Sequence, residues 1–407
     1  MTNQELAIAI ALQANLRVIL VSREGTGKST YSDMVVTQGL GWRFHPWILS
    51  QMDMTILGGM PHIMEREICG QVMPVIRRTP DEAFVETALD TENIHVHMFD
   101  EFSNATNTQR SQMLDVVTGY RAGGYTLPQH TRFMAAMNPA NCAVVYHDMA
   151  PPTSTRWTWI DWEPALDRES WRRGMLTGWQ TPTVPRLAEG WEQALPVARA
   201  MLVEFEKRCP TVFHEGFDLN ADGKIVCANP GKWLNRPRSN PRTLEQAAKV
   251  YAATLGLEGV LPEDKITSVR TTLIKGTLGE DCGRMLLEFL AVAREIPSPQ
   301  ELINDYSAHP VHEMRPDLQY LAVSSVGAWI GGLVRNQRNH CADEWAKALM
   351  FVGNLEDNGL GDLGMLCAGL FLTKEIGIPT GAVAPKNTIA RILPLLREIK
   401  EIAAEAR

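Results

Sequence analysis

Residues 17–30 constrain this 407-residue chain more than any other stretch. Arg17–Val21 (RVILV) is a short apolar run rich in β-branched residues, the pattern of a buried strand. It runs into Gly25-Thr26-Gly27-Lys28-Ser29-Thr30, after which the pattern is helical to about Gln38, with Gly39 and Gly41 as the stop. A strand that turns through glycines into a helix start aims backbone N–H groups and the positive end of a helix dipole at one point. That arrangement is a cradle for phosphate, with Lys28 placed for the β- and γ-phosphates and Ser29 for Mg²⁺. The usual pattern opens with glycine; Ser22 stands there instead, so the turn requires a negative φ at that residue.

The second informative stretch is Ile94–Phe99, an apolar strand delivering Asp100 and Glu101 at its C-terminal end. Open parallel sheets bind ligands at the carboxyl ends of their strands, so the two acids belong beside the cradle. Asp100 would hold the water shell of the magnesium, and Glu101 would polarise an attacking water. His95 and His97 share one face of this strand. With no cysteine or third histidine nearby in the sequence, they read as packing residues.

The surrounding pattern alternates strands and helices. Helices are expected at 2–16, where Thr2 and Glu5 have capping-box spacing, at Asp81–Leu89 and at Thr108–Val117. Strands are expected near Trp42–Ile48, Arg132–Met137 and Trp157–Trp162, with a hairpin at Tyr120–Leu127 and an irregular piece at Gln51–Met60. This alternation predicts an α/β fold with a parallel sheet flanked by helices. Beyond residue 163 helical patterns dominate, with Trp191–Cys209 and Thr243–Leu255 the clearest. Six of the eleven tryptophans fall between Trp157 and Trp191, where they suit either a subunit interface or an inter-domain core.

Composition narrows the class. At 45% hydrophobic and 21% charged, the chain can build real cores, and its length suggests two or three domains. A net charge of −8 argues against a nucleic-acid partner and an anionic lipid surface. Seven scattered cysteines without a CxxC pair fit neither a disulfide framework nor a structural zinc site. They point, with an N-terminus lacking a signal-like segment, to the cytoplasm. The apolar stretches Val323–Val334 and Leu363–Leu372 fall short of the ~20 residues that span a bilayer. Asp218–Ile225 copies the first eight positions of an EF-hand loop, but Asn229 stands where the bidentate Glu belongs, so a polar turn between two strands is the better reading. Lys232, Arg236, Arg238 and Arg242 form a basic cluster better suited to a nucleotide or an interface than to nucleic acid.

These motifs resemble those of the AAA+ ATPases, and within them the MoxR-like group of the helix-2-insert type. Lys28-Ser29 match the first nucleotide motif and Asp100-Glu101 the second. Met137-Asn138-Pro139 is similar to the sensor 1 segment, Thr155-Arg156-Trp157 to the arginine-finger position, and Asn240-Pro241-Arg242 to sensor 2. Asp53–Gly59 looks like part of the helix-2 insert, and Tyr120–Leu127 sits where that group has its pre-sensor hairpin. The resemblance covers about residues 1–256 and continues weakly through Gly276–Phe289.

It implies a P-loop AAA+ core at 1–165, a linker at 166–190, a helical lid with sensor 2 at 191–295, and a helical C-terminal region at 296–407. It further implies ATP and Mg²⁺ as cofactors. Gly25, Thr26, Gly27, Lys28, Ser29 and Thr30 would hold the nucleotide, and Ser29 and Asp100 the metal. Glu101, Asn138, Arg156 and Arg242 would act in catalysis, with Arg156 reaching a neighbour's nucleotide. Arg132 and Arg121 stand as alternatives for the finger. The implied function is ATP hydrolysis in a ring, most often a hexamer, that remodels, chaperones or activates a protein client, such as a partner with a von Willebrand factor A domain. A nucleotide-dependent scaffold with weak turnover and a nucleic-acid motor are the competing readings.

Overall fold

The computed structural model describes residues 1–142, 146–149, 151–162, 168–179, 182–214, 217–219, 225–227, 235–293, 295–373 and 376–385. The turn of the EF-hand-like segment and Lys232 lie outside them. The chain divides into two compact units. The first holds Met1–Leu187, Phe213–Val250 and Leu257–Gly283; the second holds Ala188–Val212, Tyr251–Gly256 and Arg284–Arg407. Residues 191–295 are therefore shared between the two.

The first unit opens with α1 (Asn3–Gln13), whose capping box is formed as its spacing suggests: the Thr2 hydroxyl accepts from the Glu5 N–H at 3.3 Å and the Glu5 carboxylate accepts from the Thr2 N–H at 2.6 Å. Then follow β1 (Val18–Val21), α2 (Lys28–Asp33), β2 (Arg43–Ile48), α3 (Met54–Gly58), β3 (Met60–Ile68), β4 (Gln71–Thr79), α4 (Glu82–Leu89) and β5 (His95–Asp100). The unit continues with α5 (Asn107–Gly119), β6 (Arg121–Ala122), β7 (Tyr125–Thr126), β8 (Arg132–Met137), α6 (Pro151–Ser154), β9 (Thr158–Asp161) and α7 (Arg168–Thr177).

Five strands make one parallel sheet in the order β2-β5-β8-β1-β9, flanked by helices. Because β1 is inserted between β8 and β9, its carboxyl end opens between two neighbours, where a parallel sheet leaves a crevice. Val21 pairs with Met137 on one side and Asp161 on the other. Phe84, Phe99, Phe102, Phe133 and Trp157 fill the core on one side of the sheet. The helix after the cradle is not uniform: α2 ends at Asp33 and a π-helical turn, Met34–Gly39, replaces the expected continuous α-helix.

The hairpin β3–β4 was not legible in the sequence. Its nine-residue strands pair from Met60↔Thr79 to Ile68↔Gln71, and Cys69 and Gly70 both take positive φ, as a two-residue hairpin turn demands. Ile63 and its partner Ile76 are more than two-thirds exposed. Neither face of the ribbon is buried, so no period-2 hydrophobic signal exists to mark it.

The remaining elements are helical apart from the short hairpin β10 (Phe217–Leu219) and β11 (Ile225–Cys227). They are α8 (Leu195–Arg208), α9 (Pro241–Leu255), α10 (Glu263–Leu278), α11 (Glu280–Ala293), α12 (Pro299–Asn304), α13 (Pro316–Asn336), α14 (Ala342–Asp357) and α15 (Gly361–Phe371). The second unit has its own core around Trp329, Trp345, Phe351 and Phe371. There α13 and α15 approach closely because a Cβ at Gly327 would lie 2.9 Å from the Cys367 carbonyl oxygen, and one at Gly331 2.8 Å from that of Leu370. No helix among the described residues is long and apolar enough to cross a membrane.

Candidate functional site

The turn after β1 takes its shape from two glycines. Gly25 and Gly27 have φ of +71° and +78°, and a Cβ at either would meet nothing within 4 Å. The concavity is open, and left-handed backbone is what a non-glycine residue would resist there. Ser22 keeps a negative φ and continues the ladder, its N–H donating to the Met137 carbonyl at 3.3 Å. Its hydroxyl lies 2.6 Å from that of Thr26.

Lys28 is 8% exposed. Its ammonium donates to the carbonyls of Ser22 at 2.8 Å and Arg23 at 2.9 Å, to the Ser22 hydroxyl at 3.1 Å, and to Asn138 Oδ1 at 3.1 Å. With at least four acceptors among the described residues for three ammonium protons, the charge is shared among exchangeable partners. Trp162, one residue past β9, donates from its indole N–H to the Thr26 carbonyl at 3.0 Å and packs its ring 5.0 Å from that of Tyr31. It braces the cradle from the side, and burial pushes the Tyr31 phenol up. Thr30 lies exposed in the first turn of α2.

β5 delivers the acids. The Ser29 hydroxyl donates to Asp100 Oδ2, and Asp100 Oδ1 accepts from the Glu101 N–H at 2.7 Å. Glu101 sits at φ +54°, a left-handed conformation that a non-glycine residue adopts at a cost of about 1–2 kcal/mol. Its carboxylate is tethered by the Ser50 hydroxyl, just beyond β2, with Asn104 Nδ2 at 3.5 Å. Behind it, buried Arg110 donates to the carbonyls of Phe102, Ser103, His147 and Asp148, fixing the loop that follows Glu101. Lys28, Ser29, Asp100, Glu101 and Asn138 thus converge at the carboxyl edge of the sheet.

Arg156 and Arg242 do not join them. Thr158 pairs with Val18, and its N–H donates to the Arg17 carbonyl at 2.7 Å, so Arg17 and Arg156 belong to the amino edge of β1 and β9. From Arg17 to Ser22 the strand covers about 16 Å at ~3.3 Å per residue. Arg156 donates from Nε to the Thr118 hydroxyl at 3.0 Å and from Nη1 to the Pro152 carbonyl. Arg242 stands in the first turn of α9, which Asn240 caps: its Oδ1 accepts from the N–H of Arg242 at 2.9 Å and of Thr243 at 3.1 Å. Burial, then Arg242 and Arg17, hold the Arg156 guanidinium below its ordinary range. Of the two alternatives for the finger, Arg132 is buried against the carbonyls of Leu12 and His130, and exposed Arg121 pairs with Asp115.

The histidines form a cluster that sequence proximity could not show. Parallel pairing of β2 with β5 sets His45 opposite His97, supplying the third histidine. His45 Nε2 lies 2.8 Å from His95 Nδ1, and Asp90 lies 3.1 Å from His95 Nε2. Trp47 donates its indole N–H to His97 Nδ1 at 3.0 Å, so His97 carries its proton on Nε2 and donates it to the Thr87 hydroxyl at 2.9 Å. Phe84 stacks on His97 with centroids 4.4 Å apart. Among the described residues no group of three or more His, Cys, Asp or Glu could hold a metal ion. The rings of His45, Trp47 and Phe84 stack on His97, within the strand that carries the acids.

No family model and no curated relative matches the chain. Among solved structures it is similar to one described as "a putative ATPase from Cytophaga hutchinsonii", over 70% of this chain and 87% of that one, at 11% identity and a TM-score of 0.41. At that distance the functional reading rests on the geometry of the site.

Proposed function

We propose that this chain is a Mg²⁺-dependent ATPase that works as a head-to-tail ring, its nucleotide site shared between neighbouring copies. The observation that carries the reading is the division of its polar machinery. A lysine, a hydroxyl, two acids and an amide meet at one edge of the sheet, while Arg156 and Arg242 sit at the other. A heterologous contact brings two different faces of neighbouring copies together, and it generates a ring where the rotation between copies closes.

The cradle fits a nucleotide: two left-handed glycines leave it open, and a hydroxyl–carboxylate pair of the kind that binds hard cations stands at its mouth. Ser29 and Asp100 would hold Mg²⁺ there, and the ion would neutralise charge developing on the phosphates. The N–H groups of Gly25–Ser29 would bind phosphate oxygens. Lys28 would trade the Ser22 and Arg23 carbonyls for the β- and γ-phosphates. Glu101, released from Ser50, would accept a proton from the attacking water while Asn138 orients it. Arg156 and Arg242 of the adjoining copy would spread the transition-state charge, with both arginines acting in trans.

By resemblance to the MoxR-like group, the ring is a hexamer in the cytoplasm. Its product is a nucleotide-driven motion passed to a protein client. A von Willebrand factor A partner fits that role. Steady-state phosphate release tests the enzyme reading. Wild type should turn over ATP, and Glu101→Gln should bind ATP yet lose about 100-fold or more in turnover. Equal, negligible rates would favour a nucleotide-dependent scaffold.

A further inference from the structure

The molecule holds a polar cavity that the roles above leave unused. It has a volume of about 320 Å³ and lies between the turn that follows α1, the C-terminal end of α5 and one stripe of α9. Arg17, Thr118, Tyr120, Gln246 and Lys249 line it, and among the described residues none of its lining side chains is a carboxylate. Arg156 joins this wall through its hydrogen bond to Thr118. Arg242, Gln246 and Lys249 are spaced i, i+4, i+7 on α9, which puts them on one face of the helix.

We propose that Arg17, Gln246 and Lys249 complete, with Arg156 and Arg242, a seat for the terminal phosphates of the nucleotide carried by a second copy of this chain. The inference rests on the ATPase reading and extends it to residues that no motif marks. Three observations carry it. Arg17 is fixed in place: its Nε donates to the Val117 carbonyl at 2.7 Å, and its guanidinium lies 6.0 Å from the centre of the Tyr120 ring. Arg17, Arg156 and Arg242 are close enough to repel one another, an arrangement that an anion between them would relieve. Gln246 is 8% exposed, and its Oε1 has no hydrogen-bond partner among the described residues. A buried amide left unmatched is costly. Rotation by 180° turns its NH₂ to the same position, where it would donate to a phosphate oxygen.

The chemistry selects phosphate. Planar guanidinium forks match phosphate oxygens, and an amide donor adds a neutral contact. A chain of net charge −8 is poorly suited to the backbone of a nucleic acid. The cavity lies at the amino edge of β1, about 16 Å of strand from its own cradle, so the phosphate it takes belongs to another copy.

The test compares Arg17→Ala, Arg17→Lys and Lys249→Ala in the full chain. Expected for Arg17→Ala is a fall in kcat of about 100-fold, with the ATP dissociation constant within about twofold of wild type because the cradle is intact. Arg17→Lys should recover only part of that loss, since a point charge does not replace a fork. Lys249→Ala should lower kcat in the same direction, and less. Mixing inactive Arg17→Ala, which keeps its cradle, with inactive Lys28→Ala, which keeps its seat, should restore turnover through mixed assemblies. Full activity of Arg17→Ala and Lys249→Ala in a wild-type background that does turn over would overturn the seat and leave the ATPase reading standing. So would failure of the Arg17→Ala mixture where a mixture of Arg156→Ala with Lys28→Ala succeeds. A wild-type chain that releases no phosphate would remove both.

Discussion

Thr87 is where a single atom group holds up the strand that carries Asp100 and Glu101. Its hydroxyl donates to the Ala83 carbonyl at 2.7 Å and accepts from His97 Nε2 at 2.9 Å, in a site with almost no solvent. Thr87→Val keeps the shape and removes both bonds, together with the 3.2 Å contact between the hydroxyl and His95 Nδ1. His97 cannot shift its proton to Nδ1, because Trp47 already donates there. An orphaned buried donor costs about 1–3 kcal/mol, so the variant should lose roughly 2 kcal/mol, or about 4–8 °C in Tm for a unit of this size. Scanning calorimetry at pH 8 measures it, and Thr87→Ser, which retains the hydroxyl, should lose less than half as much. A Thr87→Val shift under 0.5 kcal/mol (about 1–2 °C), or a Thr87→Ser variant just as damaged, would refute the tautomer chain.

The same cluster gives the pH dependence its sign. Burial, then His45 and His95, hold His97 well below its ordinary value, and burial and His95 lower His45. Both histidines take up protons more readily when unfolded. Their contribution is whole above the unfolded value near 6.5 and lost as pH falls through the folded values, by up to about 1.4 kcal/mol per pH unit for each.

Two further outcomes concern the cradle. Ser50→Ala removes the hydroxyl that tethers Glu101, and should raise basal phosphate release up to about fivefold, the worth of one hydrogen bond of ~1 kcal/mol; unchanged release would mean the tether does not restrain the carboxylate. Trp162→Phe keeps an aromatic ring, though a smaller one, and deletes the bond to the Thr26 carbonyl; it should weaken ATP binding about fivefold by titration, while leaving kcat at saturation near wild type.

Much of the first unit was legible from residue order because its strands are buried runs. RVILV carries a continuous apolar run, the histidines of Ile94–Phe99 recur at period 2 and not at a helix period, and the five-stranded parallel sheet follows from the alternation of such runs with helices. What could not be read depends on pairing across the chain. His45 meets His97, Arg17 and Arg156 come to the same sheet edge, and Trp162 reaches Thr26 only once β2, β5, β1 and β9 are in register. Ser50, a serine after an edge strand, carries no local signal that it will hold Glu101. The exposed β3–β4 ribbon mixes Ile63 and Ile76 with charged residues on both faces, which erases the alternation that marks a half-buried strand.

Equilibrium titration of Mg²⁺ and a fluorescent ATP analogue into wild type and Lys28→Ala tests the central claim most directly. A lysine that passes its bonds from the turn's own carbonyls to phosphate supplies one or two charge-assisted hydrogen bonds, so the variant should bind roughly 10- to 150-fold more weakly. Identical binding curves, or no binding by wild type, would contradict the assignment of this turn as the nucleotide site.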